Sequence, residues 1–167
     1  FFEVHLRVSN PFYMLSSFID AGSDAIFFHI ETTEPRFTFP PKILINMIKK
    51  NNLRCGIAIK PKTSIKVLEK YLPFIDYIVV MSVEPGFGGQ GFIPSTLEKI
   101  SSIDKALNDK NLRDQIAIQV DGGIKLHNAK EVMDAGADIL VAGSEVFKSE
   151  NPIETIDKMY NLWIIKK

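Results

Sequence analysis

Six short apolar runs alternate with segments of helical period along these 167 residues. That alternation constrains the fold more than any single motif. The runs predict strands over residues 3–8, 25–31, 54–60, 77–83, 116–121 and 139–143. Residues 11–21, 41–51, 64–72, 94–107 and 126–135 place apolar side chains at helical spacing, and 152–165 predicts a closing helix. Several of these segments open at Pro or Ser and several stop at Gly or Asn, as helix ends do. Strict β-α alternation predicts a parallel sheet with helices outside it. A doubly wound open sheet and a closed (βα)8 barrel both satisfy the pattern. Six units fit the first as they stand and the second only with two more units.

The polar positions separate the two. Strand side chains alternate between faces. In "EVHLRV", Val4, Leu6 and Val8 share one face, and Glu3, His5 and Arg7 the other. Ile26, Phe28 and Ile30 oppose His29 and Glu31; Ile57 and Ile59 oppose Ala58 and Lys60; Ile116, Ile118 and Val120 oppose Gln119 and Asp121. One face stays apolar while the other turns polar toward its C-terminal end. An open sheet covered on both sides stays apolar on both, so the pattern favours a barrel with a site at its mouth. The mouth gathers His5, Arg7, His29, Glu31, Lys60, Met81, Gln119 and Asp121, of which His29 reads as a hydrogen-bonded wall residue and Lys60 as solvated.

Three glycine turns, "PGFGGQG", "VDGGI" and "VAGSEVF", follow successive strands there. Bare backbone N–H groups in such turns form a concavity suited to an anion, and a short helix start after Gly143-Ser144 adds a favourable dipole. "AGSDAIFFH" and "AGADILVAGS" echo each other, placing Asp24 and Asp138 at strand starts, where a structural role is expected.

Twenty basic residues balance twenty acidic ones, which argues against nucleic acid or an acidic membrane surface as main partner. No apolar run reaches the roughly 18 residues of a membrane span. The one cysteine, Cys55, permits no internal disulfide, lies in an apolar run and reads as a buried thiol in a reduced, cytoplasmic setting. The first residue is not Met and the chain opens within a strand, which reads as a missing N-terminal piece.

"VHLRV", "CGIAIKPKT", "VVMSVEPGFGGQGF", "IQVDGGI" and "AGADILVAGSEVF" resemble the ribulose-phosphate 3-epimerase family, in that family's order and spacing and over nearly the whole chain. The resemblance implies a single domain over 1–167: a (βα)8 TIM barrel of the ribulose-phosphate-binding type with only strands 3–8 present, N-terminally incomplete. It implies a cytoplasmic isomerase of the pentose phosphate pathway that epimerises D-ribulose 5-phosphate and D-xylulose 5-phosphate at C3 through an enediolate. It also implies one divalent ion (Zn, Fe, Mn or Co) and a homo-oligomer, dimer or hexamer. Carried over by position, His5 and Asp121 match metal ligands, and Asp121 the proton donor to the intermediate. His5, Met81, Gly86, Phe87, Gly88, Gly89, Asp121, Gly122, Gly123, Gly143 and Ser144 match substrate or phosphate contacts. The chain departs from the family in two ways: its first two βα units, with two ligands and one proton carrier, have no counterpart, and Arg7 stands where the family has methionine. Two other readings stand beside this one: a related sugar-phosphate enzyme (allulose-6-phosphate epimerase or hexulose-phosphate synthase), or a non-catalytic phosphate-binding remnant.

Overall fold

The computed structural model describes residues 1–33, 39–84, 86 and 89–164. Its strands are β1 (Glu3–Leu6), β2 (Ala25–His29), β3 (Arg54–Ile59), β4 (Tyr77–Met81), β5 (Ala117–Asp121) and β6 (Ile139–Val141). Its helices are α1 (Phe12–Asp20), α2 (Pro41–Lys50), α3 (Thr96–Asp109), α4 (Leu126–Asp134), α5 (Gly143–Phe147) and α6 (Pro152–Ile164). All five strand pairings are parallel and the order is sequential, β1 to β6. A doubly wound sheet reverses its strand order at a switch point. No reversal occurs among the described strands, so the sheet is a half-barrel arc and the open-sheet alternative falls away.

The central strands β2 to β4 serve two apolar layers. Val4, Leu6, Ile26, Phe28, Ile57, Ile59, Ile78, Val80, Ile118 and Val120 pack under the helices in the main core. Ala25, Phe27, Ala58, Tyr77, Val79, Met81 and Val83 form a second cluster on the opposite face. The alternation read from sequence therefore holds: the inner face is apolar below and polar at its C-terminal rim.

The opposite end is pinned by carboxylates. Asp24 accepts the Phe2 N–H at 2.6 Å, and Asp138 the Ile118 N–H at 2.7 Å. Asp76 does the same for the Cys55 N–H at 2.7 Å, a third instance the sequence echo did not reveal. Each aspartate precedes its own strand and ties it to the strand before. Arg113 joins this end by donating to Asp138 at 2.7 Å and to Asp104 at 2.5 Å. Cys55 is fully buried, and burial, with Asp76 nearby, pushes its thiol up to about 12.

Two expectations are corrected. Residues 64–72 form no α-helix; two 3-10 turns, Ile65–Leu68 and Leu72–Phe74, take their place. The stretch runs into Pro73, and the residue before a proline avoids helical backbone, so no continuous helix extends through it. Most strands also end one or two residues early, because the chain leaves the ladder where its neighbour does. At β2 the departure is a 3-10 turn over Ile30–Thr32. Among the described residues, no helix is long and apolar enough to cross a membrane.

Candidate active site at the C-terminal strand ends

β1, β2 and β5 carry His5, His29 and Asp121 inward at their C-terminal ends, and the turn after β2 adds Glu31. These four groups form one continuous chain. Asp121 Oδ2 lies 3.3 Å from His5 Nδ1. His5 Nε2 lies 3.0 Å from His29 Nε2. His29 Nδ1 lies 3.3 Å from Glu31 Oε2. The two rings stack, with centroids 4.9 Å apart and planes 20° from parallel. The other Glu31 oxygen accepts the Lys60 N–H at 2.8 Å and the Thr63 hydroxyl.

Environment sets the charges. Burial works to raise the Glu31 carboxyl, but the hydrogen bonds from His29, the Lys60 N–H and Thr63 outweigh it and hold the group at about 2. Burial pulls the His5 imidazole below its ordinary value; the Asp121 hydrogen bond opposes this, while His29 and Arg7 reinforce it. Arg7 is exposed at the lip and lines two clefts there. Among the described residues it forms no salt bridge: Glu31 is committed to His29, Lys60 and Thr63.

A cleft of about 160 Å³ lies beside Asp121. Gly89, Gly122, Gly123, Gly143 and Ser144 border it, so the expected glycine turns do converge. Gly86 borders the neighbouring cleft with Arg7 and His29. Phe87 and Gly88 lie outside the described residues. Met81 is fully buried beside Asp121 in the sheet register, and Gln119 lies one layer deeper with an unpartnered buried Oε1. Lys60 is exposed, as expected, and contributes its backbone.

The turns are locked by residues the sequence reading did not single out. Ser82, fully buried, donates its hydroxyl to the Gly122 carbonyl at 2.6 Å and its N–H to the Asp121 carbonyl at 2.9 Å. Asn128 accepts the Lys125 N–H at 2.8 Å and donates to the Gly123 carbonyl at 3.0 Å. Glu145 in α5 accepts the Leu126 N–H at 3.1 Å and pairs with Lys125 at 2.8 Å, linking the last two turns. Lys99 donates to the carbonyls of Lys60, Pro61 and Thr63, fixing the loop that holds Glu31. Ser82 had a signal, a hydroxyl inside an apolar strand run. Lys99 had none, because its partners lie 36 to 39 residues away.

His5 and Asp121 suit a divalent cation in kind and placement, an imidazole and a carboxylate side by side at a partly buried mouth. Among the described residues no group of three or more His, Cys, Asp or Glu gathers to hold one, so this pair supplies part of a coordination shell.

Sequential parallel β-α units with polar groups and glycine turns at the C-terminal strand ends define a protein of the TIM-barrel class. Solved structures agree on the fold: 3-hexulose-6-phosphate synthase from Salmonella typhimurium matches 99% of this chain and 74% of that one with a TM-score of 0.63 at 17% identity. KGPDC from Streptococcus mutans matches 96% of this chain and 72% of that one with a TM-score of 0.64 at 14% identity. The family model for the ribulose-phosphate 3-epimerase family matches residues 1–147, and the chain belongs to that family. It is 44% identical to the ribulose-phosphate 3-epimerase of Chlamydia pneumoniae, over 90% of this chain and 64% of the relative. Against the enzyme so named in Escherichia coli K12 it is 36% identical, over 94% of this chain and 67% of the relative. The chain thus spans about two thirds of the length of these curated relatives.

Proposed function

We propose that the protein epimerises D-ribulose 5-phosphate and D-xylulose 5-phosphate at C3. The observation that carries this reading is the Asp121–His5 contact at the mouth, beside the glycine cleft, in a chain of this family. Epimerisation removes a proton from the carbon next to a carbonyl and returns one on the other face. Two proton carriers are therefore needed, on opposite sides of the sugar. Asp121 is the carrier on the β5 side. Ser82 holds its backbone and His5 adjoins its carboxylate, so the proton is delivered from a fixed position.

The backbone at Gly122, Gly123, Gly143 and Ser144 is the proposed phosphate cradle. Gly86 lines one cleft and Gly89 the other, and the loop they belong to would cover the sugar and exclude water. Met81 is proposed to lie under the reacting carbons, and His5 to touch the substrate as well as the ion. His5 and Asp121 would hold a divalent ion (Zn, Fe, Mn or Co), whose Lewis acidity stabilises developing oxygen charge. In this reading β1 to β6 are strands 3–8 of a closed barrel, and its other two strands complete the ligand set and carry the second proton carrier. Six described strands in one sequential arc support that assignment.

The test is a coupled assay of the full-length protein with ribulose 5-phosphate and, in parallel, allulose 6-phosphate. Turnover of the pentose, lost by about 10³-fold or more in Asp121→Asn, is the expected result. Preference for the hexose, or an Asp121→Asn enzyme near the parent rate, overturns the reading.

A further inference from the structure

Arg7 follows β1 directly, two residues beyond His5, and strand alternation puts both on the inward face. It stands one layer nearer solvent than His5, exposed at the rim. Every other residue lining the cleft beside Asp121 comes from β5, β6 or the segments that follow β4, β5 and β6. β1 and β6 are the two edges of the sequential arc, so Arg7 borders this cleft from the far edge of the sheet.

The charges are as uneven as the walls. Glycine turns offer only neutral N–H donors. Among the residues lining the cleft, Asp121 is the one carboxylate and Arg7 the one cation. A phosphate monoester brings about 1.5 to 2 negative charges at neutral pH. Next to a carboxylate such an anion is repelled unless a cation stands close by. Among the described residues Arg7 forms no salt bridge, so its guanidinium is not spent on a protein carboxylate. A guanidinium stays charged at any working pH, and its planar fork of N–H groups matches two phosphate oxygens at once.

We propose that Arg7 is a phosphate-binding residue that closes, from the β1 side, a cradle whose other walls are the glycine turns after β5 and β6. Backbone N–H groups hold the anion of the sugar phosphate on one side and the guanidinium holds it on the other. The proposal rests on the reading of this cleft as the phosphate cradle. It also gives a function to the departure at this position: where the resemblance puts an apolar methionine, this chain carries a charged handle for its substrate. The phosphate keeps its charge throughout the reaction, so Arg7 binds ground state and transition state alike. Uniform binding of that kind lowers KM and leaves kcat alone.

The probe is inorganic phosphate, titrated into the full-length parent, Arg7→Met and Lys60→Met and followed by 31P line broadening. Lys60 is exposed and lines only the neighbouring cleft, so its substitution removes the same charge without touching the cradle. Arg7→Met should weaken phosphate binding by about 10-fold or more. Lys60→Met should weaken it by less than about 3-fold, because salt screens a charge that makes no contact. With ribulose 5-phosphate, Arg7→Met should raise KM by a factor similar to its loss of phosphate affinity, with kcat within about 3-fold of the parent. A parent that binds no phosphate, an Arg7→Met protein with parental affinity, an equal loss in Lys60→Met, or a loss confined to kcat overturns the proposal. Should Arg7→Met fail to fold, Arg7→Gln removes the charge and keeps a polar side chain, and it must show the same loss. The two readings fail separately. If Arg7→Met loses phosphate affinity as stated while neither protein turns over a ketose phosphate, the role of Arg7 stands and the epimerase reading falls. If the pentose is turned over and Arg7→Met keeps both the parental KM and the parental phosphate affinity, the epimerase reading stands and Arg7 is a solvated side chain.

Discussion

Glu31 shows how much a single residue at this mouth does for the loops around it. Its carboxylate joins the turn after β2 to the loop after β3 and lies 3.3 Å from the His29 ring. The same contacts tie it to pH. Folding lowers this carboxyl from 4.5 to about 2, so its hydrogen bonds add to stability above pH 4.5 and that contribution is lost as pH falls toward 2. Urea denaturation of parent and Glu31→Gln at a series of pH values should therefore show the stability gap narrowing from pH 5 to pH 2. A gap constant over that range would refute the assignment. Sequence alternation placed Glu31 and His29 at the rim, but not their mutual contact. His29 was legible as a hydrogen-bonded wall residue; its partners on both sides come from separate elements. Arg7 was the least legible position. In the structure it stays exposed at the lip of both clefts while Glu31 serves other donors.

At the level of elements, the turn after β5 is the part that tolerates least change. Gly123 adopts a left-handed backbone, φ +64°, and a Cβ there would meet the Phe92 amide nitrogen at 2.5 Å and its Cα at 2.8 Å. The obstacle is backbone, so it cannot rotate away. Gly123→Ala should cost about 3 kcal/mol, combining left-handed strain with overpacking. Chemical denaturation measures this, and a loss below about 1 kcal/mol would show that the segment around Phe92 yields. The glycine pair was legible in "VDGGI" as a candidate anion turn. That the tail of the glycine-rich loop packs onto it was not, because the contact joins Phe92 and Gly123 from separate segments through tertiary packing. The missed 3-10 turns have the opposite origin. There the sequence did carry the signal, in Pro73, and helical period alone outweighed it.

For the whole molecule, the sheet has two edges among the described strands: β1 pairs only with β2, and β6 only with β5. Unpaired parallel edges invite pairing with another chain. Exposed apolar side chains lie near both, Phe1 and Phe2 beside β1, and Phe147, Ile153 and Ile156 after β6. Expressed alone, residues 1–167 should therefore self-associate, with mass rising with concentration in light scattering. A monodisperse monomer at all concentrations would refute this. The opposite rim, with Asp24, Asp76 and Asp138 bridging alternate strands, supplies stability away from the site.

The sequence by itself determined the alternation of elements, the two-faced strands and the residue types at the mouth. These rest on local periodicity and on turn chemistry, which neighbouring residues specify. Tertiary structure alone decided the sequential strand order, the Asp121–His5–His29–Glu31 chain and the bracing of its loop by Lys99. Each of these depends on contacts between separate elements, about which local periodicity carries no information.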